Sequence, residues 1–234
     1  MKTKFEELGK KIGIELSEKE IEKFFSYKEI LIERNKEMNL TAITEEQEVI
    51  VKHFIDSLTI NKYISSNSSL IDVGTGAGFP GIPIKIIRED VKVTLLDSLN
   101  KRLKFLDEVI EMNNLKNIIT VHGRAEDVAH QADFREKYDY VTARAVANLS
   151  TLSELCLPFL KVGGKFICMK GNSIEELDEA KKALEILGGE VVDIESFMLP
   201  STDMERNIIV IEKIKNTPNK YPRKAGTPAK EPLK

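Results

Sequence analysis

Asp72, Gly74, Gly76, Gly78 and Asp97 are residues whose types and spacing could do chemistry together. In Asp72-Val73-Gly74-Thr75-Gly76-Ala77-Gly78-Phe79-Pro80-Gly81 an acid lies in a short apolar run, and four glycines occupy the eight residues from 74 to 81. Glycine accepts positive φ and lets another group approach the backbone closely. A strand that feeds such a turn and then a helix N-terminus leaves unpaired amide donors aimed at one spot. The stretch reads as a seat for a nucleotide-like ligand.

Three kinds of loop fit that description. A triphosphate cradle needs Lys-Ser or Lys-Thr after its last glycine, and here Gly81 is followed by Ile82 and Pro83. The dinucleotide pattern G-x-G-x-x-G is spelled by Gly76 to Gly81, with Asp97 spaced to hold a ribose diol. That keeps an NAD-dependent oxidoreductase as an alternative. The methyl-donor pattern, an acid two residues before G-x-G-x-G, fits Asp72 to Gly78 throughout. S-adenosylmethionine carries a ribose and an adenine but no phosphate. It needs close backbone approach and an acid for its hydroxyls rather than a strong anion hole. Asp97 suits the ribose under either reading; its plainer role is capping a helix that opens near Leu99.

The elements around these residues follow from hydrophobic periodicity. Residues 1–65 read as helices. Ser17 with Glu20, and Thr44 with Gln47, have the form of capping boxes, and Ile21, Phe24, Leu31 and neighbours recur at helical spacing. From residue 69 strands (69–73, 91–97, 117–121, 138–143, 164–170, 190–196, 207–213) alternate with helices (80–88, 99–113, 148–160, 173–187). Continuous apolar strands alternating with helices predict an α/β doubly wound, mostly parallel sheet. Phe197 to Arg206 leaves no room for a crossover helix, so the last two strands must pair antiparallel. The seven-stranded sheet therefore ends in an antiparallel hairpin, which favours a methyltransferase over a dehydrogenase topology. The expected divisions are a helical lobe at 1–65, a Rossmann-like domain at 66–215 and a tail at 216–234.

Composition narrows the setting. The chain has 234 residues, enough for a substantial core. It lacks an apolar run of about 18 residues, and its first residues lack a secretory h-region. Cys156 and Cys168 sit in apolar surroundings and read as reduced core thiols. A cytoplasmic location is expected. The formal net charge is −3. The tail carries Lys220, Arg223, Lys224, Lys230 and Lys234 against Glu231, a net +4, which leaves −7 on the rest. With four of the eight prolines, it reads either as a mobile phosphate-binding arm or as an idle solvated terminus. His53, His122 and His130 show no ligand spacing, and no metal site is expected.

The sequence resembles the GidB family, the ribosomal RNA small-subunit methyltransferase G enzymes, nearly end to end. The resemblance is carried by Met38-Asn39-Leu40-Thr41-Ala42-Ile43, His53-Phe54-Ile55-Asp56-Ser57-Leu58, the glycine loop, and Leu96-Asp97-Ser98 with Lys101-Arg102. It continues through Gly123-Arg124-Ala125-Glu126, Arg144-Ala145, Lys170-Gly171 and Tyr221-Pro222-Arg223-Lys224. It implies a class I S-adenosylmethionine-dependent methyltransferase that modifies guanine N7 in 16S ribosomal RNA. The expected partner is that RNA, free or within the small subunit or its precursor, with no membrane involved and the chain acting as a monomer. Carried across by motif, Asp72, Gly74, Gly76, Gly78, Phe79, Asp97, Ala125, Glu126 and Arg144 border the cofactor. Asp97 takes the ribose, Ala125 and Glu126 flank the adenine, and Arg144 lies near the reacting atoms.

Guanine N7 has a free lone pair and needs no general base, so proximity and orientation dominate the expected chemistry. The base must be presented unstacked. Arg144 can orient the substrate through O6 or a phosphate, but not through N7, whose lone pair must stay free. Its plainer role is an ion pair with Asp139 or Glu126. Lys170, Arg206, Arg223 and Lys224 are candidate phosphate contacts. A non-catalytic RNA-binding protein using the lobe and tail is the remaining alternative.

Overall fold

A computed structural model describes residues 1–144, 147–171 and 176–233. The strands are β1 (Ser69–Val73), β2 (Lys92–Asp97), β3 (Ile118–His122), β4 (Tyr138–Arg144), β5 (Leu160–Lys170), β6 (Gly189–Met198) and β7 (Glu205–Lys213). They form one sheet in the order β3-β2-β1-β4-β5-β7-β6. The first five are parallel, and β7 inserts antiparallel between β5 and β6. The antiparallel ending follows the short 198–205 connection, as expected. Strand order reverses at β1, where Val73 pairs with Leu96 of β2 and Asp72 pairs with Thr142 of β4. That reversal is the topological switch point of the sheet, and ligands bind such sheets outside the C-terminal ends of the strands flanking it.

The helices are α1 (Lys2–Lys11), α2 (Glu18–Met38), α3 (Glu46–Val49), α4 (Asp56–Leu58), α5 (Gly81–Ile87), α6 (Asn100–Met112), α7 (Ala125–Val128), α8 (Leu149–Cys156), α9 (Glu176–Leu187) and α10 (Thr227–Lys230). A π-helical turn, Ile50–Ile55, joins α3 to α4. The expected start of α9 at 173 lies outside the described residues, as does Ala145. Both sheet faces are covered: on β7, Ile208 and Val210 enter one core while Ile209 and Ile211 enter the other. This is why the strand reads as an unbroken apolar run rather than an alternating one.

The N-terminal helices share their core with the sheet. Phe5 packs edge-on against Phe24 at 5.0 Å, and Tyr27 lies 5.5 Å from Phe79 and 6.3 Å from Phe105, between ring centres. Each such buried side chain stabilises the fold by roughly 1.5–3 kcal/mol, so 1–65 and the glycine loop are joined by one aromatic cluster. The Ser17–Glu20 capping box forms, with the Ser17 amide donating to Glu20 Oε2 at 2.7 Å. The box expected at Thr44 does not. The helix starts one residue later, and the Glu45 carboxylate curls back to accept from the Glu48 amide at 2.8 Å.

The tail is packed against the fold, unlike either the mobile arm or the solvated terminus that its composition suggested. Tyr221 and Pro228 are buried, and the Arg223 guanidinium pairs with Glu154, a carboxylate with no solvent exposure. A buried charge needs a partner, and the chain supplies it by folding 216–233 back along α8. Thr151 Oγ1 donates to the Pro228 carbonyl at 2.9 Å, fastening the far end.

Candidate active site

Two structures meet at the switch point: the glycine loop after β1 and a cation-lined cleft beside β4. In the loop, Gly74 and Gly76 adopt φ of +70° and +62°, a region side chains avoid. The amides of Gly74 and Thr75 both donate to the Leu96 carbonyl, at 2.9 and 3.0 Å, bending the loop over β2. A Cβ added at Gly74 would meet nothing within 4 Å, and one at Gly76 only the Gly74 carbonyl at 3.9 Å. These two positions form an open cradle that fits a nucleoside-bearing donor.

Asp72, Gly78 and Phe79 lie at the base of the cradle, with their side-chain positions turned to the protein interior. Asp72 is wholly buried; its Oδ2 accepts from Thr75 Oγ1 at 2.7 Å and from the Gly81 amide at 2.9 Å. Its Oδ1 has no partner among the described residues. Burial pushes the carboxyl up to about 6, against the pull of those hydrogen bonds. Asp72 is the loop's anchor. A Cβ at Gly78 would fall 2.7 Å from Ile82 and 2.8 Å from Leu106, and one at Gly81 would fall 2.4 Å from Leu95. These glycines permit close packing of the loop on α5, α6 and β2.

Asp97 fills its expected role at the start of the helix. Its Oδ1 accepts from the Leu99 amide at 2.9 Å at the start of α6, and its Oδ2 accepts from the Gly76 amide at 2.9 Å and from Arg102 at 3.3 Å. The carboxylate ties the cradle to the end of β2 and keeps lone-pair capacity on Oδ1 for a hydroxyl. The Gly123 amide donates to the Asp97 carbonyl at 3.1 Å, which brings Ala125 and Glu126, in the first turn of α7, to the same edge. Glu126 accepts from the Gly226 amide at 2.9 Å, so α7 is also tied to the tail.

Arg144 ends β4 and reaches the π-helical turn. Its Nη1 donates to the Lys52 carbonyl at 3.2 Å and to Asp56 Oδ2 at 3.4 Å. Its Nη2 donates to His53 Nδ1 at 3.0 Å, and its Cζ lies 4.8 Å from the Phe79 ring centre. The partner is therefore Asp56, not Asp139 or Glu126. Asp139 instead accepts from Ser69 and Lys161 at the other end of β4. A guanidinium only donates, so His53 Nδ1 is the acceptor and its Nε2 carries the proton toward Thr41 Oγ1, at 2.8 Å. Burial, with the Arg144 charge beside it, pulls His53 down to about 3 and keeps it neutral. Its ring stacks on Phe79 at 4.3 Å.

Arg206 Nε donates to Asp56 Oδ1 at 3.0 Å, so one carboxylate holds two arginines. Arg144 and Arg206 line a cleft of about 370 Å³ together with Lys52 and Lys170. Lys170 Nζ donates to the Ala147 carbonyl at 2.8 Å and to Glu176 at 2.6 Å. Of the four expected phosphate contacts, the fold brings Lys170 and Arg206 to this cleft. Arg223 is spent on Glu154, and Lys224 is exposed on the tail away from the cleft's lining.

Sequence reasoning passed over His53, Asp56 and Lys52. A π-helical turn has no periodic signature, yet such turns recur at functional sites, and this one puts all three beside Arg144. The only signal was their presence in or beside the stretch His53 to Leu58 that carries the family resemblance. His122 and His130 contact backbone carbonyls of Ser98 and Pro222 and take no part in the cleft.

Comparison with known proteins identifies the chain's relatives. Residues 20–209 match the model of the GidB family, rRNA small subunit methyltransferase G. The chain belongs to that family. It is 60% identical to ribosomal RNA small subunit methyltransferase G of Acetivibrio thermocellus, over 94% of this chain and 92% of the relative. It is 55% identical to the protein of the same name from Alkaliphilus oremlandii, over 95% of each. Among solved structures, TYW2 of M. jannaschii, in complex with AdoMet, superposes with a TM-score of 0.53 at 19% identity, covering 69% of this chain and 76% of that one. That likeness concerns the fold, a class I methyltransferase architecture with β7 inserted antiparallel. Family membership sets aside the dinucleotide reading of Gly76 to Gly81 and the non-catalytic alternative: rRNA small subunit methyltransferase G proteins are enzymes.

Proposed function

We propose that this protein transfers the methyl group of S-adenosylmethionine to N7 of a guanine in 16S ribosomal RNA, as a cytoplasmic monomer acting on the small subunit or its precursor. The observation that carries this reading is the junction of the open glycine cradle with a cation-lined cleft at Arg144 and Phe79, in a chain of this family. The donor, when bound, supplies an electrophilic methyl carbon on a sulfonium. Gly74 and Gly76 admit it close to the backbone, Asp97 accepts from the ribose, and Ala125 and Glu126 border the adenine. Arg144 orients the acceptor base through O6 or a phosphate and leaves N7 free. No general base is required, and His53, held neutral and engaged on both nitrogens, is not offered as one.

Labelled S-adenosylmethionine incubated with small subunits lacking the modification, and separately with naked 16S RNA, tests the reading. Label should enter at a guanine where borohydride and aniline then cleave the chain, the signature of N7-methylguanine. Label at another atom would replace the acceptor; no label in either RNA would refute the activity.

A further inference from the structure

The cleft beside Arg144 has features that donor binding does not use. Its lining is two-natured. Among the described lining residues, Lys52, Arg144, Lys170 and Arg206 are cationic and Asp56 alone is anionic, while Ile43, Met169 and Met204 present an apolar surface to the same space. Its volume of about 370 Å³ falls in the range of small-ligand sites, which combine apolar walls with a few placed polar groups.

Two guanidinium nitrogens in it have no nitrogen or oxygen acceptor among the described residues. Arg144 uses Nη1 and Nη2 on Lys52, Asp56 and His53, and its Nε has no acceptor among the described residues. Arg206 uses Nε on Asp56 and Nη1 on the Glu205 carbonyl, and among the described residues its Nη2 has the Met204 sulfur alone, 4.0 Å away. Two guanidiniums would repel each other at this range. The Asp56 carboxylate, 4% exposed, sits between them with one oxygen toward each. The π-helical turn sets its place, and a carboxylate so buried is stable only because both partners are present.

We propose that this cleft is the subsite for the acceptor nucleotide. Ile43, Met169 and Met204 receive the face of an unstacked purine, and Asp56 is the positioning residue that holds Arg144 and Arg206 for its oxygen acceptors. The inference rests on the methyltransferase reading above and adds to it where the acceptor sits and what places it. Methionine sulfur makes favourable contacts with aromatic rings and adapts to their shape, and unpaired RNA bases are taken up by stacking and edge hydrogen bonds. Lys52 and Lys170 are each paired with a glutamate (Glu48 and Glu176), so the net positive charge offered to the acceptor comes from Arg144 and Arg206 against the single Asp56 carboxylate.

The test uses the full-length protein, labelled S-adenosylmethionine and small subunits lacking the modification. Rates, KM for the subunits and donor affinity by calorimetry are compared for wild type, Asp56→Asn, Arg206→Gln, their double variant, Ile43→Ala and Met204→Ala. Asp56→Asn should lower kcat/KM on the order of 10²-fold, the scale of a misplaced reacting group, with donor Kd changed by less than about twofold. The double variant should be no worse than the poorer single one, because both changes disable the same donor pair. Ile43→Ala and Met204→Ala should each raise KM for the subunits with donor Kd held. Donor affinity falling in step with rate would assign the cleft to the cofactor and overturn the inference, and so would additive losses at Asp56 and Arg206. If Asp56→Asn does not fold, the two wall variants decide alone, since both side chains are half-exposed; an unchanged KM in both overturns the inference. An inactive wild type would refute the methyltransferase reading itself, whereas an active wild type with indifferent variants refutes only the subsite.

Discussion

Arg144 donates to His53 Nδ1 at 3.0 Å, and that single contact requires the imidazole to be neutral. A protonated His53 would have a hydrogen on Nδ1 and would face the guanidinium as a like charge. The depression of His53 to about 3, from burial and from Arg144, expresses the same fact electrostatically.

The pH dependence of stability follows. His53 is neutral when folded and gains a proton near 6.5 when unfolded. The unfolded state therefore binds more protons between about pH 3 and 6.5. The stabilisation is complete above that window and is lost as pH falls through it. By pH 5 the loss attributable to His53 reaches about 2 kcal/mol. Asp72, raised to about 6, acts in the opposite direction over pH 4 to 6, so the comparison must be with a variant. Urea unfolding of His53→Gln and wild type at pH 7.5 and pH 5 should show the gap between them narrowing by about that amount at the lower pH. A constant gap would mean that His53 does not titrate differently on folding.

The glycine loop separates cofactor binding from packing. Gly74→Ala puts a methyl group into the open cradle, where it meets no protein atom. It should cost about 1 kcal/mol through its positive φ and weaken S-adenosylmethionine binding at least about tenfold by filling the cradle. Gly81→Ala drives a methyl into Leu95 at 2.4 Å and should destabilise by about 1–3 kcal/mol. Thermal unfolding and calorimetric titration of the two variants should therefore rank them in opposite orders. The same order in both measurements would mean that the loop's two jobs are not divided as the geometry indicates.

The fold was legible because each strand from 69 onward carries its own apolar run and turn signals, and the short 198–205 connection allowed only an antiparallel ending. Asp97 was legible by its position at the end of β2, whereas Arg144, at the end of β4, was singled out only through the family resemblance. What was not legible depends on tertiary contacts with no local pattern. Asp72 and Gly78 fit a ligand-loop motif, yet face inward because α5 and α6 pack beneath the loop. Asp56 becomes the partner of Arg144 and Arg206 only after 88 and 150 residues of chain have folded back. Arg223 looked like a free cation because Glu154 is distant in sequence, and burial of Glu154 decides its fate.

Arg206 offers a direct measure of RNA contact. With no nitrogen or oxygen acceptor on Nη2 among the described residues, it can take one phosphate. RNA binding by Arg206→Gln, measured from low to moderate salt, should show a log–log slope shallower by about 0.7–1. An unchanged slope would leave Arg206 in contact with the base alone or with nothing on the RNA.

The tail separates two adjacent cations. Arg223 donates to both oxygens of fully buried Glu154, at 2.9 and 2.7 Å, while its neighbour Lys224 is exposed. Arg223→Gln strands a buried carboxylate and should cost about 3 kcal/mol of stability. Because its guanidinium is already spent, it should leave the salt slope of RNA binding unchanged once the fold is intact. Lys224→Gln should change stability by less than about 0.5 kcal/mol, and if the tail touches RNA it is this variant that should flatten the slope. Denaturant midpoints paired with salt titrations distinguish the two. A slope lost with Arg223 and kept with Lys224 would mean that the Glu154 pair opens when RNA binds, and the tail would then be a strap that exchanges a buried carboxylate for a phosphate.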